Sequence, residues 1–262
     1  MIIISVFVAL LSSVIGAICG IGGGVIIKPV MDAVTGYSAA TISFLSGVTV
    51  FCMSAYSIIK SFASKNSEVH IGTASKLGIG AAAGGIIGKL IFEMIKDAAG
   101  DGKTLTAIQA ILLLFVTIGT LAYSLNKRKI KTKNIESTVI TVGIGLALGM
   151  ISSFLGIGGG PMNLPVLYFF FSMKTKEAAQ NSLFIILISQ FTSIMFTVIR
   201  GTIPANLPIV LLLLMSAAGI IGGIIGRFIN KKINSHVVDI LFIILLSVIM
   251  CVCAYNFVRN IV

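Results

Sequence analysis

Two glycine pentads are the residues of this chain best placed to do chemistry. Gly20-Ile21-Gly22-Gly23-Gly24 is followed by Pro29, and Gly156-Ile157-Gly158-Gly159-Gly160 by Pro161 and Pro165, the second copy lying 136 residues after the first. Each interrupts an apolar run. Three consecutive glycines cannot sustain a helix, because glycine loses the most backbone entropy on ordering. In lipid a broken backbone leaves N–H and C=O groups unsatisfied, which is tolerated only inside protein or beside a water-filled cavity. A helix restarting after such a break presents free N–H groups and the positive end of its dipole, which together suit an anion. The expected chemistry is therefore binding. A small anion would be held by the backbone at Gly22, Gly23, Gly24 and Val25 from one copy and at Gly158, Gly159, Gly160 and Pro161 from the other.

Polar side chains near the pentads extend this candidate site. Lys28 lies four residues after Gly24, inside a hydrophobic run. An ionisable residue in such a run is by default functional. It also stands four residues before Asp32, the spacing of a helical ion pair, and a shallow lysine can snorkel; all three readings stay open. The second copy has Leu164 and Tyr168 at these positions, so the architecture does not demand the pair. Ser43, Asn163, Gln180, Asn181, Ser182 and Gln190 lie within or beside apolar spans, where polar groups either bond neighbouring helices or line a path.

Other chemistries find little support. The eight acidic residues are scattered and no nucleophile–base pairing is visible, so the expectation is no enzyme, no cofactor and no metal. Cys19, Cys52, Cys251 and Cys253 sit in apolar segments and read as small buried hydrophobes. Gly88-Lys89 fails the phosphate-loop spacing, and neither pentad has the third spaced glycine of a dinucleotide fingerprint.

The elements that position these residues follow from composition. The 262 residues are 57% hydrophobic and only 10% charged, against about 25% charged in soluble domains. Such a chain needs a lipid bilayer as its partner, and the expectation is an all-α integral membrane protein. No basic region precedes the first apolar run, so it does not read as a cleaved signal peptide. Apolar runs predict helices over Ile2–Cys19, Val25–Val34, Ala40–Phe62, Thr73–Ile95 and Leu105–Leu125. A second set follows over Ser137–Leu155, Met162–Phe171, Ala178–Ile199, Leu207–Ile229 and Val237–Phe257. Between the sets, Asn126–Asn134 is basic. The net charge of +11 is explained by this linker as a cytoplasmic loop rather than by nucleic acid. Asp97–Lys103, with Gly100 and Gly102, reads as a tight polar loop.

The two sets are a duplication. Gly84-Gly85-Ile86-Ile87-Gly88-Lys89 matches Gly222-Gly223-Ile224-Ile225-Gly226-Arg227 at an offset of 138, two more than the pentads. The expected organisation is a first repeat over 1–125, a linker over 126–134 and a second repeat over 135–262. Charge decides how the repeats are related. If each pentad is a kink in one span, ten basic residues fall on the linker side and eight opposite. If each is the tip of a hairpin, thirteen fall on the linker side, leaving only Lys89, Lys96, Lys103, Arg200 and Arg259 opposite. The positive-inside rule selects the second arrangement: two inverted repeats, each a glycine-tipped broken-helix hairpin plus three transmembrane helices, with both termini outside. The short helix of each hairpin, at about ten residues and ~15 Å, enters only part-way into ~30 Å of hydrocarbon. The recurrence of Gly80, Gly84 and Gly88, and of Ala218, Gly222 and Gly226, predicts close helix packing.

The doubled motif resembles the TauE/SafE family of sulfite and organosulfonate exporters. Leu155-Gly156-Ile157-Gly158-Gly159-Gly160-Pro161, then Pro165 and Ala178-Ala179-Gln180-Asn181-Ser182-Leu183, is the stronger half of that likeness, which spans essentially the whole chain; Ser43-Phe44-Leu45 departs from the pattern. The resemblance implies a multi-pass plasma-membrane transporter of a small, often sulfur-containing anion such as sulfite or a sulfonate. The expected activity is secondary transport by alternating access, with proton or sodium as coupling ion. An anion channel and a non-transporting membrane assembly subunit are the alternatives.

Overall fold

In a computed structural model, residues 2–64, 67–99, 102–127 and 129–261 are described; Lys65, Gly100, Arg128 and Val262 fall outside them. These residues form ten α-helices: α1 (Ile2–Cys19), α2 (Gly24–Val34), α3 (Ala39–Ala63), α4 (Ile71–Ala99), α5 (Gly102–Asn126), α6 (Thr138–Leu155), α7 (Asn163–Phe171), α8 (Thr175–Ile199), α9 (Ile209–Lys232) and α10 (Ser235–Ile261). No strand occurs among them. All except α2 and α7 are long and apolar enough to cross a membrane, which makes eight candidate spans. The short pair and the eight long helices correspond one to one with the apolar runs of the sequence.

Boundaries shift where local chemistry outweighs hydropathy. α8 begins at Thr175 rather than Ala178, because Glu177 Oε2 accepts the Lys174 N–H (3.1 Å) and satisfies a first-turn donor. α10 begins at Ser235 because Asn234 Oδ1 accepts from the Val237 N–H (2.9 Å). α9 starts after Pro208, which takes the cap position.

Packing between the two halves dominates, and it repeats with their exchange. α4 lies against α6, with Gly80, Gly84 and Gly88 on the backbone of Val142, Leu146 and Met150 in that order, so the two helices run parallel. α1 lies against α9, with Gly222 on Leu10, Gly226 on Val14 and Asn230 Nδ2 donating to Ile18 O (2.5 Å), again parallel. Leu10 and Val14 occupy the repeat positions of Leu146 and Met150, so the two interfaces are the same contact made twice. A side chain on any of these glycines would meet backbone, which explains why small residues recur every four positions.

Equivalent helices meet head to tail. α3 packs on α8 with Gly47 against Gln190, Phe51 against Phe191 and Ser61 Oγ donating to Gln180 Oε1 (2.8 Å), an antiparallel order. α5 and α10 are likewise antiparallel. Lys127, just past α5, pairs with Asp239 near the start of α10 (2.6 Å), while Gln109 and Ala110 share a cavity with Cys253 and Asn256.

The connections sort onto two ends. At one end, His70 Nε2 meets Glu177 Oε1 (2.7 Å), the Glu68 N–H donates to Gln180, and Lys133 and Ile135 donate backbone hydrogen bonds to Phe169 and Phe170. This end holds the α3–α4, α5–α6 and α7–α8 connections, and we call it the linker end. At the opposite end, Arg259 donates to the Ala33 carbonyl, and Asp97, Thr202 and Pro204 line one cavity.

Candidate functional site

Both glycine breaks open with the same turn. Gly20 (φ +76°) and Gly156 (φ +65°) are left-handed, as are Gly22 (+75°) and Gly158 (+66°). The N–H groups of Ile21 and Ile157 reach back five residues, to Gly16 O (3.2 Å) and Ser152 O (3.4 Å). This is the bond that closes a helix on a left-handed glycine. The chain then turns back, and Gly23 comes to rest against Ser12 and Ser13 of α1. The first bonds of α2 run from the Ile26 and Ile27 N–H groups to Gly23 O. Gly24 and Val25 thus precede the helix's own hydrogen bonding. In the second break the Asn163 N–H donates to Gly160 O (3.2 Å), and Pro161, having no N–H, adds no donor.

The two breaks touch. A Cβ on Gly24 would overlap Ile157 O, and one on Gly159 would lie 2.7 Å from Ile21 O. Ile21 and Ile157 are fully buried, while Val50 of α3 and Ile186 of α8 close over Gly22, Gly158 and Gly159. The crossing point itself is therefore filled by backbone and two aliphatic side chains. Space lies to one side: a cavity of about 10 Å³, lined by Ser43, Ser152, Ser153, Gly156, Gly158 and Gln190, with Lys89 at its margin. That volume holds about one water.

The remaining sequence candidates divide around this centre. Ser43 Oγ is in contact with Gly156, and Gln190 Oε1 passes 3.0 Å from where Gly47 would carry a Cβ. Asn163 Nδ2 donates to Ser182 Oγ (3.2 Å), and the two are buried together. Asn181 faces the linker end instead. It accepts from the His70 N–H (2.9 Å) and donates to Glu68 O (3.0 Å) and Glu177 O (2.8 Å). Gln180 accepts from Ser61 Oγ and the Glu68 N–H (3.1 Å), so this pair ties the α3–α4 connection to α8. Lys28 is 2% exposed and closes an ion pair with Asp32 Oδ2 at 2.7 Å, and Asp32 is 8% exposed. Its charge is matched within its own helix, one turn away.

Two wider cavities flank the centre at opposite ends. At the linker end one of about 540 Å³ is lined by Gln180, Glu68, Lys176, Arg227 and Lys231. At the other end one of about 140 Å³ is lined by Phe44, Lys89, Glu93, Thr197 and Thr202. Lys89 and Arg227 are repeat equivalents, so each cavity carries the same cation position. Sequence reasoning counted both for topology and, for Lys89, dismissed a phosphate loop, although their match inside apolar spans was a signal. Ser152, Ser153 and Ser193 were also missed, because a serine in an apolar helix ordinarily bonds its own backbone.

Eight candidate spans, with two broken helices in contact at their centre, make this a multi-pass helical membrane protein. The chain belongs to the Sulfite exporter TauE/SafE family, whose model matches residues 5–252. No curated protein and no solved structure matches it.

Proposed function

We propose that this protein is a plasma-membrane secondary transporter, working in the export direction, for a small anion such as sulfite or a sulfonate. In this reading the halves are inverted repeats, and each glycine break is the tip of a hairpin that enters part-way. The linker end is cytoplasmic. The observation that carries the reading is the meeting of the two glycine breaks at the buried centre, between two end cavities that each present a cation from the same repeat position. The antiparallel packing of α3 on α8 and of α5 on α10 supports inversion. The return of Gly23 to Ser12 supports a hairpin over a kink. A centre closed to about 10 Å³ between two larger cavities suits alternating access, in which the anion is never open to both sides.

The test is flux in proteoliposomes of the full chain against a panel of sulfite, sulfoacetate, chloride and acetate. The expected result is saturable, sulfite-competed flux. Flux linear in concentration and steeply voltage-driven would make the protein a channel. Absence of flux for every anion would point to a non-transporting subunit.

A further inference from the structure

Resting on the transporter reading above, we infer that the oxyanion site is one-sided. It is the polar chamber against the second glycine break, with Lys89 as its cation, and Arg227, the equivalent cation of the other repeat, takes no part.

Three observations carry this. The first is a set of unmatched buried donors. Ser43 and Ser153, 4% and 3% exposed, line the chamber, and their hydroxyls have no hydrogen-bond partner among the described residues. Ser189 Oγ is similarly unpartnered, and Gly85, lacking a side chain, leaves both Ser153 and Ser189 uncovered on the α4 side. A buried hydroxyl left unpaired costs stability, whereas an oxyanion in the chamber would accept from Ser43 and Ser153.

The second is the cation. Lys89 follows Gly85 by one helical turn, so it shares that face of α4, and it lines both the chamber and the 140 Å³ cavity outside it. Among the described residues no carboxylate lies within ion-pair distance of its ammonium group. Glu93, one turn on, lines the outer cavity, and the Phe92 ring lies 5.5 Å from Nζ.

The third is asymmetry. The repeat equivalents of Ser152, Ser153, Gln190 and Ser193 are Gly16, Ala17, Cys52 and Ala55, so this set of side chains is not repeated at the first break, where the unpartnered hydroxyls are instead those of Ser13 and Ser46. Arg227, the equivalent of Lys89, is committed to the end of α3. It donates to Ser57 O (2.7 Å), Lys60 O (3.3 Å) and Ser64 Oγ (3.1 Å). Unpartnered hydroxyls occur at both breaks, and it is the cation that differs: Arg227 is held by the end of α3, and Lys89 is not.

The chemistry follows. When the chamber, closed here to about 10 Å³, opens to admit a compact head such as sulfite, hydroxyls and an amide donate to its oxygens, and a single ammonium at the outer side balances the one charge of its protonated form. Any organic tail of a sulfonate would leave past Phe44 and Thr197, which line both spaces, into the outer cavity.

The experiment is titration of sulfite, and separately methanesulfonate, into the detergent-purified full chain by calorimetry, with melting temperature recorded for every variant. Lys89→Gln is expected to weaken sulfite binding about tenfold or more, as loss of a charge-assisted hydrogen bond does. Lys89→Arg should restore most of it. Ser153→Ala, which removes only one oxygen, should weaken binding severalfold while leaving the fold intact. Arg227→Gln should change stability more than affinity. Binding within twofold of wild type in folded Lys89→Gln or Ser153→Ala would overturn the inference, as would an Arg227→Gln loss equal to that of Lys89→Gln. A wild-type protein that transports anions yet shows this second pattern would sink the one-sided site alone. A wild type that neither binds nor moves any anion would sink the transporter reading beneath it.

Discussion

Gly159→Ala tests the contact between the breaks with a single methyl group. Gly159 does not need a left-handed backbone, so the substitution introduces no dihedral strain; only space is at issue. The new Cβ would stand 2.7 Å from Ile21 O and 2.8 Å from Ile186 Cδ1. The isoleucine tip can swing away. The Ile21 carbonyl cannot, because its residue is held by the bond to Gly16 O that closes α1. An ordinary contact of about 3.4 Å requires the two breaks to separate by roughly 0.7 Å, and overpacking of that kind typically costs ~1–3 kcal/mol. At roughly 2–4 °C per kcal/mol for a chain of this size, the melting temperature should fall by about 2–12 °C. The neighbouring Gly160 provides the control. A Cβ there meets nothing closer than 3.6 Å, so Gly160→Ala should melt within about 2 °C of wild type. Gly119, in the middle of α5, meets nothing within 4 Å, and Gly119→Ala should gain about 0.5–1 kcal/mol from backbone entropy. The assay is thermal unfolding in detergent, followed by loss of monodispersity. Equal melting temperatures for Gly159→Ala and Gly160→Ala would mean that the breaks are not in contact, and the account of the centre would fail.

Two further outcomes are expected. Asp32→Asn strands the Lys28 charge in a buried site and should destabilise by ~3–5 kcal/mol. The double change Lys28→Leu with Asp32→Tyr, which copies Leu164 and Tyr168 of the other repeat, should recover most of that loss and bind sulfite within about threefold of wild type. A much larger affinity loss in a stable double variant would make Lys28 part of the site. In a background without Cys19, Cys52, Cys251 and Cys253, a cysteine at Lys131 or Lys174 should react with an impermeant reagent from the cytoplasmic side, and one at Asp97 or Thr202 from the opposite side. Labelling of Lys174 and Thr202 positions from the same side would remove the hairpin reading.

The helices were legible because lipid leaves composition few alternatives: a run of twenty apolar residues between polar turns has one stable form. The glycine offset pointed to a duplication, and the stripe at Gly84 and Gly222 announced close packing before its partners were known. The partners themselves were not. Nothing in Gly84 says that it meets Leu146 rather than a helix of its own half, since packing partners depend on the path of the chain. The same gap hid the partners of Asn181 and Gln180, whose polarity stood out against an apolar helix and which bond a connection arriving from residues 67–70. The reverse happened at Lys89, whose charge was counted for topology while its position beside buried serines became visible only in three dimensions.

The interlacing of the halves governs how the protein can be made. α1 leaves the ribosome long before its long partner, α9, which ends at Lys232. At roughly 5–20 residues per second the intervening chain takes about 10–40 s to synthesise. For that interval the face of α1 that carries the Leu10 and Val14 backbone has no permanent neighbour. α4 waits far less, because α6 follows it across one helix and the linker. Assembly in the membrane therefore has a built-in order, with α4 and α6 joining first, α1 and α9 much later, and α5 and α10 last. The first half by itself is a set of helices whose main contacts have not yet been translated.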